Sequence, residues 1–415
     1  MKKQKTVYRR PNALLYGIVR LVSKLACKLV FPLKVQRNEL TGTAGRRILI
    51  CNHEAAIDFL PVYAAVKERC HMVASNSIVM SIPVVAPLAA RTGVICKNQF
   101  QTLIGDMRKM KQVVDNGGLL VIFPAGMMTE SGTSTPIPRA TAKALKWLDA
   151  DVYVGKVSGS YLTSPKWSKV RRKGRITLDI YKLASREEFG ALSVEQAEAL
   201  VDEHLAFDAY RANEAKGIPY KNGDSVEGLE HVLFRCPVCG EDFTMQAEGN
   251  RLSCAACGFG LESDEYGLLH DPAGGEPLFR YPSDWYARLE QQVYELVAAD
   301  PGYRFAAQAD IYKINEDKHR YEKVGRGTVT MSFEQFVIDG TLFGKPFYQE
   351  VPTAPFPILP FQPGKRFEIQ LGRDIFRICP DDGRVVMQWM LVLKAAWRVR
   401  QEQDARKEHA VSVRR

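Results

Sequence analysis

Residues 50–60 read Ile-Cys-Asn-His-Glu-Ala-Ala-Ile-Asp-Phe-Leu, which sets an imidazole, His53, five residues ahead of a carboxylate, Asp58. An imidazole oriented by a carboxylate is a general base: the carboxylate fixes the tautomer and offsets the charge of the imidazolium as it forms. No Gly-x-Ser-x-Gly elbow occurs, and no Ser or Cys stands at an evident nucleophile position. The pair is therefore suited to deprotonating a hydroxyl of a substrate rather than one of the enzyme. Alone, the same two residues also fit a surface histidine and an acid that complements a helix dipole. Their surroundings decide.

Residues 47–51 form a short apolar run suited to a buried strand, and residues 54–67 read as a helix. His53 thus stands where a strand hands over to a helix, a place where side chains reach the cleft at the strand ends. Further strands are expected at 71–74, 93–97, 118–123, 152–157 and 175–183, and helices at 101–114 and 138–148. Residues 78–90 are apolar but carry Pro83 and Pro87, which suits a broken helix. The alternation predicts an α/β fold, a mixed sheet flanked by helices. A polar helical connector follows at 193–215, opened by a capping box of Ser193 and Gln196.

Asn52-His53 with Asp58 resembles the NHxxxxD box of the glycerophospholipid acyltransferase family, which includes the 1-acylglycerol-3-phosphate acyltransferases. Thr92-Gly93-Val94-Ile95 is similar to the second box of that family, Val121-Ile122-Phe123-Pro124-Ala125-Gly126 to the third, and residues 151–157 fall where the fourth does. Order and spacing agree over residues 45–183, less than half the chain. The resemblance implies transfer of a fatty acyl group from a thioester donor, acyl-CoA or acyl-ACP (acyl carrier protein), to a hydroxyl of a lysophospholipid such as 1-acylglycerol-3-phosphate. It implies catalytic roles for His53 and Asp58 and substrate-binding roles for Asn52, Gly93, Lys97, Phe123, Pro124, Gly126 and Arg139. Backbone N–H groups near Gly126 are candidates to support the tetrahedral oxyanion.

The chain departs from the family pattern where the family holds the phosphate of the acceptor. Ala125 replaces the usual Glu and Met128 the usual Arg; Gln99 stands where the second box ends in Arg, with Lys97 two residues earlier; Gly155 or Lys156 replaces a proline. A phosphate dianion needs cationic or N–H partners, and Lys97, Arg139, Lys143 and Lys156 are the candidates. The loss of Glu and Arg also supports an alternative, a non-catalytic lipid-binding or adaptor protein on the same fold.

The net charge of +10 is concentrated at one end: residues 1–50 hold twelve Lys and Arg against one acid, Glu39. Residues 12–31 are largely apolar, with Arg20, Lys24 and Lys28 recurring every fourth residue along one helix face. A spanning helix would bury each cation at a cost of ~3 kcal/mol, whereas an interfacial helix leaves them among the headgroups. Residues 1–40 are therefore expected to be a basic amphipathic membrane-association segment, peripheral or monotopic, on an anionic membrane surface at the cytoplasmic face of the cell membrane. Lys24 interrupts the apolar run and no small-residue cleavage site follows, which argues against a secretory signal.

Nine cysteines include no evident disulfide framework, in keeping with a reducing compartment. Four of them, Cys236, Cys239, Cys254 and Cys257, form two Cys-x-x-Cys-Gly knuckles separated by fourteen residues, the pattern of a zinc ribbon. Four thiolates close a tetrahedron, so a structural Zn²⁺ is expected. Glu241, Asp242, Glu248, Glu262, Asp264 and Glu265 make the neighbourhood acidic, so no nucleic acid is expected. The domain limits read as 41–190 for the acyltransferase domain, 191–230 for the connector, 231–265 for the ribbon and 280–405 for an α+β domain. That last region holds a helix at 283–299, strands at 328–331, 335–338, 347–351, 366–371 and 375–378, and a closing helix at 385–400, which looks like a pleckstrin-homology or GRAM-type module.

Overall fold

In the computed structural model two units are distinguished, the first made of Met1–Lys166, Val170–Asn222 and Glu265–Gly267, the second of Trp167–Lys169, Gly223–Asp264 and Leu268–Arg415. The structure describes all residues except 1–8, 77–78, 80–85, 98–103, 222–225, 301, 316–317, 319, 373 and 414–415.

The first unit opens with helix α1 (Ala13–Leu29), whose start is capped by the Asn12 side chain accepting from the N–H groups of Leu14 and Leu15. Strand β1 (Leu33–Asn38) follows, then β2 (Arg47–Cys51), every residue of which is buried. Helix α2 (Phe59–Ala65), β3 (Cys70–Ser75), β4 (Val94–Lys97), α3 (Ile104–Asp115), β5 (Leu119–Ile122), α4 (Ala140–Leu148), β6 (Asp151–Ser158) and β7 (Ile176–Ala184) complete the α/β alternation. The sheet order is β1-β7-β6-β2-β5-β3-β4. All neighbours run parallel except β6 and β7, so the sheet is mixed. A strand buried on both faces has to be apolar throughout, which is why 47–51 shows a run rather than an alternation. Leu49, Cys51, Val121 and Val157 face a core shared with Tyr16, Val62 and Tyr63 of α1 and α2; Ile48, Ile50, Val152 and Val154 face one shared with α3 and α4.

Three sequence expectations are corrected here. The helix expected at 54–67 begins only at Phe59, because residues 55–58 form a turn closed by the Asp58 N–H on Ala55 O and the Ala55 N–H on the Asp58 carboxylate. Residues 33–38, assigned to the separate membrane segment, form β1 and pair in parallel with β7, so the sheet starts before residue 41. Helix α5 (Arg186–Ala191) follows β7, and the segment treated as a connector holds α6 (Val194–Leu205) and α7 (Ala209–Glu214); Ala197, Val201 and Leu205 of α6 are core residues. Its capping box of Ser193 and Gln196 is present. Gln99 and most of the 78–90 segment lie outside the described residues.

Gly93 is fixed by sterics. Its φ is +89°, and a Cβ there would stand 2.6 Å from Pro11 Cγ and 2.8 Å from Cys70 O. Only glycine combines that conformation with that approach.

The second unit holds a four-stranded sheet of β8 (Met245–Glu248), β9 (Arg251–Cys254), β10 (Gly260–Ser263) and β11 (Leu269–His270), then helix α8 (Pro282–Ala299). Strands β12 (Arg304–Asn315), β13 (Arg320–Ser332), β14 (Gln335–Leu342), β15 (Lys345–Pro352), β16 (Phe361–Gln362), β17 (Arg366–Leu371) and β18 (Asp374–Pro380) form one antiparallel sheet, and α9 (Val385–Val413) ends the chain. Strand β12 was missed at the sequence level. It lies between β13 and β18, and its partners rather than its composition make it a strand. The ribbon and this sheet share the unit: Arg384 Nη1 donates to Phe243 O at 2.7 Å, and the Phe243 ring lies 6.4 Å from that of Phe305.

Candidate active site and metal centre

The C-terminal ends of the parallel strands carry the candidate residues. Beyond β2, Asn52 turns its side chain onto β6, donating from Nδ2 to Val157 O and accepting from Val157 N at Oδ1, both at 2.8 Å. This amide continues the ladder one step past the last strand residue and fixes the departure of the next residue. That residue is His53, whose Nδ1 lies 2.8 Å from Asp58 Oδ2. Asp58 is fully buried and His53 is one-fifth exposed. Oδ2 also accepts the Ala55 N–H at 2.9 Å, while Oδ1 has no hydrogen-bond partner among the described residues. A carboxylate can only accept, so Nδ1 carries the hydrogen and Nε2 keeps its lone pair for a substrate. A tight turn at residues 55–58 brings the two side chains together.

Phe123, directly after β5, packs its ring 4.8 Å from the imidazole and supplies an apolar wall. Pro124 is buried, and the Gly126 N–H donates to Phe123 O at 3.0 Å with φ at +68°. That N–H closes the turn after β5. Thr129 N–H donates to His53 O at 3.3 Å and ties the same loop to the dyad.

The expected cations are dispersed. Lys97 ends β4, three strand spacings from β2, roughly 14 Å at the usual interstrand distance. Burial pulls its ammonium below the ordinary range, opposed by Asp106. Arg139 precedes α4 and pairs with Glu198 of α6 at 3.1 Å, with its side chain largely exposed. Lys143 is exposed on α4. Lys156 lies on β6, on the face opposite Val157.

Sequence reasoning missed Glu54, read as the first residue of a helix. It is fully buried beside the dyad, with Oε2 accepting the Tyr161 N–H at 3.0 Å. Burial first, and the Asp58 charge second, push its carboxyl from 4.5 up to about 8. An acid between a buried strand and Ala-Ala-Ile was the available signal. The folded state favours the protonated form, so the stability contributed is complete below 4.5 and is lost as pH rises towards about 8. Glu54→Gln, which keeps the shape and an acceptor for Tyr161, is expected to flatten this loss. The difference in Tm between variant and parent should grow in favour of the variant from about pH 5 to about pH 8, and a difference independent of pH would refute the burial of an ionisable proton here.

Helix α1 shows two apolar faces. Tyr16, Ser23 and Cys27 are buried, while Leu14, Ile18, Leu21, Val22, Leu25 and Leu29 on the opposite side are exposed, Leu14 and Leu29 to 74% and 75%. Lys24 and Lys28 run alongside the exposed stripe. Among the described residues, no helix is long and apolar enough to cross a membrane.

In the second unit the four cysteine sulfurs lie within 4.8 Å of one another. Four thiolates at about 2.3 Å from a tetrahedral zinc stand about 3.8 Å apart; Cys236–Cys257 and Cys239–Cys254 are at 3.6 and 3.8 Å. Gly240 and Gly258 adopt φ of +79° and +77° and close the two knuckles onto Cys236 O and Cys254 O. The donor set fits a closed four-sulfur metal site.

The family model Acyltransferase matches residues 32–154. No curated protein matches the chain. Among solved structures, the chain is similar to the 1-acyl-sn-glycerophosphate (LPA) acyltransferase PlsC from Thermotoga maritima at 16% identity and a TM-score of 0.42, over 50% of this chain and 82% of that one. It is also similar to the Ran binding domain of the nuclear complex component Nup2 from Ashbya gossypii at 16% identity and a TM-score of 0.18, over 22% of this chain and 94% of that one.

Proposed function

The unit that carries the dyad is a domain of the glycerophospholipid acyltransferase family, and from that premise we propose that the protein transfers a fatty acyl group from acyl-CoA or acyl-ACP to a hydroxyl of a lysophospholipid such as 1-acylglycerol-3-phosphate. The observation that carries the reading is the His53–Asp58 pair at 2.8 Å with Asp58 fully buried. His53 Nε2 takes the hydroxyl proton as the lipid oxygen attacks the thioester carbonyl. Collapse of the tetrahedral intermediate expels the thiolate, and the imidazolium returns the proton to it. Asp58 holds the ring and offsets its charge, so no acyl-enzyme is required. Phe123 keeps water from one face of the imidazole. The test is acylation of a panel of lysophospholipids by the purified protein with each thioester donor, followed by mass spectrometry. A lysolipid that accumulates in cells lacking the protein would name the acceptor.

The exposed stripe of α1, flanked by Lys24 and Lys28, suits a helix lying in the interface of an anionic membrane. The double substitution Leu21→Glu with Leu25→Glu is expected to weaken binding to vesicles containing phosphatidylglycerol by about tenfold or more per leucine, because each removes apolar burial. Cosedimentation unchanged by the pair would remove α1 from the membrane contact.

Ala125 and Met128, in place of the Glu and Arg of the third box, favour a second reading: a non-catalytic lipid binder. Vesicle binding that survives His53→Ala, with no turnover on any acceptor, would support it.

A further inference from the structure

A cavity of about 220 Å³ opens in the first unit, lined among others by Glu54, Lys156, Ser158, Thr177 and Lys216. Lys156 and Ser158 flank Val157 on β6 and project from the opposite face; Thr177 pairs with Ser158 across the β6–β7 ladder. Lys216, just past α7, donates from Nζ to Ser158 Oγ at 2.8 Å and to Thr177 Oγ1 at 3.3 Å. Because both hydroxyl oxygens accept from the ammonium, both hydroxyl hydrogens are left to donate outward. Lys156 forms no ion pair among the described residues. Burial lowers the Lys216 ammonium; Glu54 opposes the shift and Lys156 adds to it.

Two acids, Glu54 and Asp179, also stand on the lining. Asp179 is engaged by Arg37 through two bonds of 2.8 and 2.9 Å. Burial first, and the Asp58 charge second, push the Glu54 carboxyl up to about 8, with Lys216 among the groups that oppose the shift. Glu54 Oε1 has no hydrogen-bond partner among the described residues, so the protonated carboxyl keeps a hydrogen to donate.

We propose that this cavity binds a phosphoryl group, with Lys156 and Lys216 supplying the charge and the Ser158 and Thr177 hydroxyls the directed donors. The volume suits a phosphate or a small phosphomonoester headgroup. None of these residues belongs to the boxes in which the cations are missing. Val157, between two of them, is gripped by Asn52, the residue before His53. Assigning the phosphoryl group to the acceptor's headgroup rests on the acyltransferase reading; the site itself does not.

The test is calorimetric titration of the full-length protein with inorganic phosphate and with glycerol 3-phosphate at fixed ionic strength, against a chloride reference. Both are expected to bind, and Lys156→Gln with Lys216→Gln should weaken each by about a hundredfold, tenfold for each charge-assisted hydrogen bond removed. Lys216→Arg should keep most of the affinity that Lys216→Gln loses. If glycerol 3-phosphate binds about tenfold tighter than phosphate, the headgroup is the source, and the double variant should raise the KM for the lysolipid far more than it lowers kcat. Equal affinities would make the ligand free phosphate. No heat above chloride, or affinity unchanged in a folded double variant, would overturn the site. His53→Ala should leave both titrations intact. Phosphate binding in a protein that acylates nothing would therefore sink the acyltransferase reading alone.

Discussion

Acyl transfer by His53→Ala is expected to fall by about a thousandfold, within the range removed with a general base. The basis is geometric. Nδ1 is committed to Asp58, so Nε2 is the ring's one basic atom, and among the described residues His53 is the imidazole paired with a buried carboxylate. Asp58→Asn should cost about a hundredfold or more. An amide in that position can hold the ring in the wrong tautomer by donating to Nδ1, and it offsets no charge on the imidazolium. Because Asp58 also accepts the Ala55 N–H, the loss must be read beside a melting curve. His53 is partly exposed and provides the cleaner measurement: its variant should melt like the parent. The assay is thioester-dependent product formation, with donor and acceptor saturating. Parent-like rates in both variants would end the general-base assignment, whatever lipid the protein binds.

Metal removal should have the second largest effect. One zinc per chain is expected by elemental analysis, held by Cys236, Cys239, Cys254 and Cys257. Structural zinc contributes on the order of 10 kcal/mol to small domains of this type at neutral pH. Cys236 and Cys254 are buried and hold their knuckles from within, so Cys236→Ser should abolish stoichiometric zinc and expose residues 226–264 to protease. A strong chelator should do the same to the parent, reversibly on adding zinc back. The sheet β8–β11 is small and its buried apolar residues are few, chiefly Met245, Leu252, Leu261 and Leu269. Without the metal such a core does not offset the entropy of ordering the chain. Protein purified without metal and protected equally in parent and variant would show that the four sulfurs merely pack.

The failures of sequence reading share a cause. Glu54 was legible only as a polar residue at an element boundary, yet its burial depends on β6 and the turn after it closing over the site. The guanidinium of Arg139 meets Glu198, about sixty residues on, a pairing that its position before α4 did not reveal. The strand β12 carries no clean alternation, and only pairing on both sides selects its conformation. In each case the deciding partner is remote in sequence, where local propensity and periodicity carry no information.

The sequence by itself determined what is local or chemically exclusive. The apolar run of β2, the His–Asp spacing, the capping box at Ser193 and the two Cys-x-x-Cys-Gly knuckles each depend on neighbours a few residues away, or on donor atoms that suit little else. The tertiary structure alone decided which charged groups share a cavity. Lys156, Glu54 and Lys216 are drawn from a strand, a loop and a helix end, and only the sheet order β7-β6-β2 brings them together. Side-chain type sets what a group can do, while its pairing and desolvation, fixed by contacts across the fold, set what it does.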